Sequence, residues 1–164
     1  MPNNVILAVE TGNLNLVKKA LAKCENTYEK GIAMDRAAKG GYIDIVRLLL
    51  ENGATHHDEA IAKAAEGGHM NIVKLLLETG ATDYDGAMIS AAGSGFIDIV
   101  ELMLEKGAND YNATMREAAE GHINIVELML EKGANNYDEA LQYTDNPNIQ
   151  ALLNLYKQGK NKLS

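Results

Sequence analysis

The apolar and polar positions of the chain follow a helical pattern that recurs along most of its length. In one stretch Ile72 and Val73 are followed by three leucines, Leu75–Leu77. This apolar stripe is broad enough for a helix that is buried on more than one side. A shorter apolar pattern precedes it, in which Ile61 is followed by a pair of alanines, Ala64–Ala65. We therefore predict two helices joined by a tight turn, with the alanines allowing close approach of a neighbouring helix.

This helix pair occurs four times with nearly the same residues. The first alanines of the four pairs are 27 residues apart each time: Ala37, Ala64, Ala91 and Ala118. A weaker copy lies at 8–17, and a degenerate copy at 137–156. We predict an all-α array of six helix pairs in a single domain, 1–157, followed by a basic, frayed tail at 158–164. The predicted units are about 1–27, 28–54, 55–81, 82–108, 109–134 and 135–157.

Both ends of the predicted helices carry boundary residues. A glycine just past the last turn is typical of a left-handed helix cap, and it recurs as Gly53, Gly80, Gly107 and Gly133. A polar residue at the beginning of a helix can accept hydrogen bonds from its free amides. On this basis we predict that the first helices of four units begin at Asp58, Asp85, Asn112 and Asp138.

The segment Ala64–Ala81, AAEGGHMNIVKLLLETGA, resembles the second half of the ankyrin repeat. The resemblance extends over four copies and implies a helix-turn-helix solenoid that works as a protein–protein interaction module. Two features depart from the family's usual unit of about 33 residues. The tetrapeptide Thr-Pro-Leu-His is missing, and the loops are as short as Thr82–Tyr84. Compact units of this kind are similar to those in ankyrin arrays of large DNA viruses of protists.

Composition narrows the cellular setting. The chain has one cysteine, Cys24, which excludes an internal disulfide and fits a reducing compartment. Its first residues, Met1–Val5, show no secretory signal, and no run of 18 apolar residues indicates a membrane span. We expect an intracellular, cytoplasmic protein without a membrane partner, which would lie in the host cytoplasm if its source is viral.

The formal net charge of −8 is unevenly distributed along the chain. Residues 1–82 contain nine Lys or Arg against ten Asp or Glu, whereas residues 83–164 contain six against thirteen. Acidic surfaces repel nucleic acid and anionic membranes at long range. Nucleic acid is therefore a disfavoured partner. The acidic half can be a site for a basic partner or a solvated surface that aids solubility.

No motif in the sequence indicates catalysis, a cofactor or a metal. The run Gly93–Gly95 suggests a phosphate loop, but it lacks the lysine of such loops and aligns with the turn between helices in the other copies. The adjacent histidines His56 and His57 point in different directions, which disfavours zinc. We predict that the chain is not an enzyme, and we expect no cofactor and no metal.

The positions beside the alanine pairs vary between copies, which makes them candidates for partner recognition on the inner concave face. They change from basic to acidic along the chain, and the alternative is that nothing constrains them. We predict a partner protein on this face, with the chain as a scaffold or adaptor and a monomer. A nucleic-acid or nucleotide-binding repeat protein and an inhibitor of a host enzyme are the alternatives. The candidate residues are Arg36, Lys39, Lys63, Glu66, Ser90, Ser94, Glu117 and Glu120.

A second candidate surface is a column of aromatic residues directly before the predicted helix starts. Tyrosine is frequent among interface anchors. Such rings also cover the apolar ends of neighbouring helices, with the hydroxyl left in water. The column can therefore be a recognition strip or structural packing. It consists of His57, Tyr84, Tyr111 and Tyr137.

Overall fold

The computed structural model describes residues 4–159, which form twelve α-helices and no strand. This confirms the predicted all-α class and the six helix pairs. Residues 160–164 of the predicted frayed tail lie outside the described residues. The helices are α1 Val5–Glu10, α2 Leu14–Leu21, α3 Thr27–Lys39, α4 Ile43–Glu51, α5 His57–Glu66, α6 Met70–Thr79, α7 Tyr84–Ser94, α8 Ile97–Lys106, α9 Tyr111–Ala118, α10 Ile123–Glu131, α11 Tyr137–Gln142 and α12 Pro147–Lys157.

The chain divides into two compact units, Met1–Ala87 (unit 1) and Met88–Ser164 (unit 2). The division falls inside α7. The single domain expected from the repeats stays a prediction. We call the odd-numbered helices first helices and the even-numbered helices second helices.

Unit 1 consists of stacked helix pairs. First helix α3 packs against α1 and α5, and second helix α4 packs against α2 and α6. The alanine pairs of α3 and α5 are completely buried, so the first helices approach closely, as the sequence predicted. Ile72, Val73 and Leu76 of α6 are at most 1% exposed and supply the larger side chains of this core.

Unit 2 repeats this packing around methionine. First helix α9 packs against α10 and α11, and second helix α10 also contacts α8 and α12. Met88, Met103, Met115 and Met129 are all fully buried. Methionine is flexible and fills irregular gaps between helices. The second unit therefore places methionine at four core positions beside branched residues such as Ile125 and Val126, whereas Met34 is the buried methionine of the first unit among the described residues.

The glycine caps of the second helices have the predicted conformation. Gly80 ends α6 with a φ of 114° in the left-handed region, and its amide donates to the Leu76 carbonyl. A residue with a Cβ is disfavoured there, because left-handed backbone brings Cβ close to the neighbouring carbonyl oxygen.

The predicted starts of the first helices are wrong by one residue. These helices begin at His57, Tyr84, Tyr111 and Tyr137. Asp58 lies inside its helix, and its Oδ1 accepts bonds from the amides of Thr82 (2.6 Å) and Asp83 (2.9 Å) in the next loop. Asn112 Oδ1 accepts in the same way from Asn135 and Asn136. The polar side chains at these positions therefore join successive repeats instead of capping their own helices.

Candidate functional site: the first-helix face

The residues beside the alanine pairs form the candidate site, which we call the first-helix face. The alanine pairs Ala37–Ala38, Ala64–Ala65 and Ala118–Ala119 are fully buried. Arg36, Lys39 and Lys63, directly beside them, are 52%, 56% and 47% exposed at the side chain. Residues three apart on a helix share a face, so Arg36 and Lys39 lie one turn apart on α3. Within unit 1 the buried alanines thus fix the positions of exposed, variable side chains.

Every predicted cation of this face in unit 1 has a carboxylate partner. Arg36 pairs with Glu10 of α1. Lys39 Nζ lies 2.6 Å from Glu66 Oε1, and Lys63 Nζ lies 2.8 Å from Glu66 Oε2. The hydrogen bonds from Lys39 and Lys63 hold the pKa of Glu66 below its usual value. These three cations and two carboxylates leave a local charge of +1.

The ion pairs of unit 1 are open to solvent. The carboxylates of Glu10 and Glu66 are 46% and 33% exposed at the side chain. Exposed ion pairs contribute roughly 0–1 kcal/mol to stability, because water and salt screen them. A partner with its own charged groups can therefore replace them at little cost to the fold.

In unit 2 the face is organised around an arginine that the sequence analysis did not single out. Arg116 Nη1 donates to Glu139 Oε1 (2.9 Å), and Arg116 Nη2 donates to Glu117 Oε1 (3.0 Å). Hydrogen bonds to Glu139 and Glu117 raise the pKa of Arg116. Its guanidinium also lies 5.6 Å from the centre of the Tyr143 ring, within reach of a cation–π contact.

The other predicted residues of unit 2 differ in exposure. Ser90 and Ser94 are half-buried on α7, and Glu120, just past α9, is exposed. Together with Arg116, the carboxylates Glu117, Glu120 and Glu139 give a local charge of −2. The face is thus slightly basic in unit 1 and acidic in unit 2, with a smaller contrast than Arg36, Lys63 and Glu117 alone indicate.

Glu10, Arg116 and Glu139 are the residues of the face that sequence reasoning missed. Lys39 and Glu66 are one repeat period of 27 residues apart, and Glu10 precedes Arg36 by 26. Opposite charges at matching positions of adjacent copies were therefore the available signal.

Unit 1 also contains a close pair of an aspartate and a histidine, Asp35 and His56. Asp35 Oδ2 lies 3.3 Å from His56 Nδ1, and the buried Oδ1 of Asp35 has no hydrogen-bond partner. Burial raises the pKa of Asp35, while its hydrogen bond to His56 opposes the shift. The Tyr28 ring contacts the His56 ring edge-on, with centroids 5.4 Å apart. A Cβ at Gly31 would come within 2.5 Å of the same ring, so the glycine makes room for the histidine.

The residues of the predicted aromatic edge strip occupy equivalent places. His57, Tyr84, Tyr111 and Tyr137 are the first residues of α5, α7, α9 and α11. All four are half-buried. Partial burial is what rings covering helix ends would show, and it leaves part of each ring accessible. A recognition role for this strip stays a prediction.

The other residues that were considered for chemistry, Cys24 and His69, are buried or bonded to the backbone. Cys24 is buried, and burial together with the Glu29 charge raises the pKa of its thiol, which disfavours the reactive thiolate. His69 Nε2 donates to the Lys39 carbonyl oxygen (3.0 Å) in the turn between α3 and α4. Residues 4–159 contain no group of three or more His, Cys, Asp or Glu suited to a metal ion. In the same part of the chain no helix is long and apolar enough to cross a membrane.

Comparison with known protein families finds a match over part of the chain. Residues 55–115 match the family model for ankyrin repeats, in three copies. The match covers the last part of unit 1 and the first part of unit 2. No curated protein matches the chain significantly.

Proposed function

Because the chain contains ankyrin repeats, we propose that it acts as a scaffold or adaptor that binds a partner protein on its first-helix face. Ankyrin repeats are generally protein–protein interaction modules. The match of residues 55–115 to three such repeats is the observation that carries the proposal. The single buried cysteine supports a role in a reducing, intracellular compartment.

The first-helix face suits recognition because its variable residues stand on a rigid frame. In unit 1 the cations and carboxylates are exposed, while the alanines beneath them are fully buried. Charge complementarity across an interface contributes more to specificity and association rate than to affinity. We therefore expect a partner with carboxylates opposite Arg36, Lys39 and Lys63, and with basic groups opposite Glu117 and Glu120.

Binding explains the side chains of the chain better than catalysis does. A catalytic site needs a nucleophile or base with a shifted pKa, placed in a cleft beside its partner groups. The thiol of Cys24 has its pKa shifted away from reactivity, and the pair Asp35–His56 lies among packing groups, Tyr28 and Gly31. These surroundings support a non-enzymatic role.

Affinity capture tests the proposal. The tagged chain is incubated with a lysate of the cells in which it acts, and retained proteins are identified by mass spectrometry. The test variant carries Arg36→Glu, Lys63→Glu and Glu117→Lys. The control variant carries Lys106→Glu, Lys132→Glu and Glu131→Lys, at exposed residues at the ends of α8 and α10. Both variants change the net charge equally, and circular dichroism checks that both are folded.

We expect a specific protein that the wild type and the control retain and the test variant loses. Retention by all three proteins would contradict the first-helix face as the binding surface. Absence of any specific protein with the wild type, over several lysates, would contradict the interaction role itself.

A further inference from the structure

The second helices of unit 1 carry cations that have no ion partner among the residues that the structure describes. Lys18 and Lys19 on α2, Lys23 just after it, Arg47 on α4 and Lys74 on α6 are all exposed. Within residues 4–159 no hydrogen bond or ion pair involves their side chains. Of the first-helix cations of the same unit, Arg36, Lys39 and Lys63 pair with Glu10 or Glu66, and Lys30 donates to the Asn52 carbonyl oxygen. The cations of unit 1 whose side chains have no bonded partner among residues 4–159 therefore lie on its second helices or just after one.

Three of these cations stand in a row, which we call the second-helix column: Lys18, Arg47 and Lys74. Each follows directly after the buried valine of its helix, Val17, Val46 or Val73. Helix α4 packs against both α2 and α6, so the three equivalent positions are neighbours. Packed helices are about 8–10 Å apart, which sets the spacing of the three charges.

This spacing fits a polypeptide with regularly placed carboxylates. An extended chain in the polyproline II conformation has three residues per turn and rises about 3.1 Å per residue, so every third side chain returns to the same side about 9 Å further along. The column is flanked by Asp44 and Glu51 on α4 and by Glu78 on α6. A nucleic-acid strand carries a charge on every nucleotide, and some of those charges would fall on these carboxylates. Acidic side chains spaced along a polypeptide can contact the cations and still lie away from the flanking carboxylates.

We propose that the second-helix column of unit 1 is a docking surface for an extended acidic segment of a partner protein, with a carboxylate at about every third residue. The segment begins most favourably over α2, where Lys18 and Lys19 have no carboxylate on their own helix and Lys23 follows just after it. In unit 2 the equivalent positions are Glu101 and Glu127, so the surface is confined to unit 1. Its binding does not depend on the first-helix face.

Fluorescence anisotropy with a defined peptide tests this surface. The probe is a fluorescein-labelled peptide of four Glu-Gly-Gly repeats, at low ionic strength because salt screens exposed charges. The test variant is Lys18→Gln, Arg47→Gln, Lys74→Gln. The matched control is Lys106→Gln, Lys132→Gln, Lys157→Gln, which removes three positive charges from exposed residues at the ends of the second helices of unit 2, outside both proposed surfaces. Circular dichroism confirms that both variants fold.

We expect the wild type to bind the probe and the test variant to bind it about tenfold more weakly, since three exposed ion pairs are lost. The control should bind within about twofold of the wild type. Equal weakening in both variants would mean that probe binding depends only on the net charge of the chain, and this would overturn the proposal. No binding by the wild type, or equally tight binding of a single-stranded oligonucleotide, would also overturn it. None of these outcomes bears on partner capture by the first-helix face, so the two proposals can fail separately.

Discussion

At the scale of single residues, the structure shows loops between repeats that are each held by one side-chain oxygen of the preceding repeat. Asp58 Oδ1 accepts two backbone amides from the next loop, at 2.6 and 2.9 Å, and Asn112 Oδ1 accepts two at 2.8 and 3.0 Å. A short loop has few internal hydrogen bonds to satisfy its amides. The preceding repeat supplies the missing acceptor, which explains how these loops hold their shape without a hairpin.

Asp58 and Asn112 differ in charge, but each accepts two hydrogen bonds from loop amides. This difference gives a test. We expect Asp58→Ala to lower the free energy of unfolding by about 1–2 kcal/mol, because two loop amides lose their acceptor to water. Asp58→Asn should cost less than about 1 kcal/mol, since an amide oxygen already accepts the same pair of bonds at Asn112. Urea unfolding followed by circular dichroism measures both. Equal losses in the two variants would show that the charge, and not the acceptor geometry, matters.

The stability of the wild type and that of Asp58→Asn should also depend differently on pH. Backbone hydrogen bonds from Thr82 and Asp83 hold the pKa of Asp58 below its usual value. A carboxylate with a depressed folded-state pKa stabilises the fold above its unfolded pKa of about 3.9, and the contribution is lost as the pH falls through the folded value. We expect Asp58→Asn to lose less stability than the wild type between about pH 5 and pH 2. A parallel decline of the two curves would contradict this role.

The sequence indicated the chemistry of these residues but not their targets. Asp58 and Asn112 were predicted as helix caps because both are short acceptors near a helix start. The helix begins one residue earlier, so their oxygens face the next loop. Which free amides lie closest depends on how the following repeat stacks, and no pattern local to the helix contains that information.

At the scale of the helix pair, glycine and histidine join neighbouring turns. His69 Nε2 donates to the Lys39 carbonyl oxygen in the preceding turn. A Cβ at Gly41 would come within 2.6 Å of the His69 ring, and Gly41 has a φ of +78°. In unit 2 a Cβ at Gly95 would come equally close, 2.5 Å, to the His122 ring. The glycine of one turn therefore leaves the space that the histidine ring of the next turn occupies.

A double-mutant cycle separates this contact from backbone strain. We expect Gly80→Ala to cost about 1–2 kcal/mol, because only the left-handed backbone opposes the methyl group there. Gly41→Ala should cost about 1 kcal/mol more, since its methyl group also meets the His69 ring. In a His69→Ala background the cost of Gly41→Ala should fall to that of Gly80→Ala. Thermal and urea unfolding measure the cycle, and an unchanged cost in that background would exclude the ring contact.

Most of the element level could be predicted from the sequence. The alanine pairs and the stripe from Ile72 to Leu77 predict buried positions, because the same packing contacts recur in each copy of the repeat. Charged contacts could not be predicted in the same way. The pairing of Lys39 with Glu66, and of Arg116 with Glu139, links different repeats. It depends on the offset between stacked helices, which apolar periodicity does not specify.

At the scale of the whole molecule, the sequence separates residues that build the frame from residues that can recognise a partner. The buried alanines, valines and methionines recur from copy to copy, whereas the exposed positions beside them vary in charge. A net charge of −8 disfavours nucleic acid at long range. In unit 1 each first-helix cation has an ion-pair or hydrogen-bond partner, whereas the second-helix cations have none among residues 4–159. Binding on the two faces therefore has different electrostatic requirements.

Hydrogen exchange followed by mass spectrometry, on the chain with and without its captured partner, tests the first-helix face most directly. We expect the partner to slow exchange most in the first helices of unit 1, α3 (27–39) and α5 (57–66), and less in α4 and α6. Slowing that is strongest in the second helices, or absent from every first helix, would contradict the central claim that the partner binds on the first-helix face.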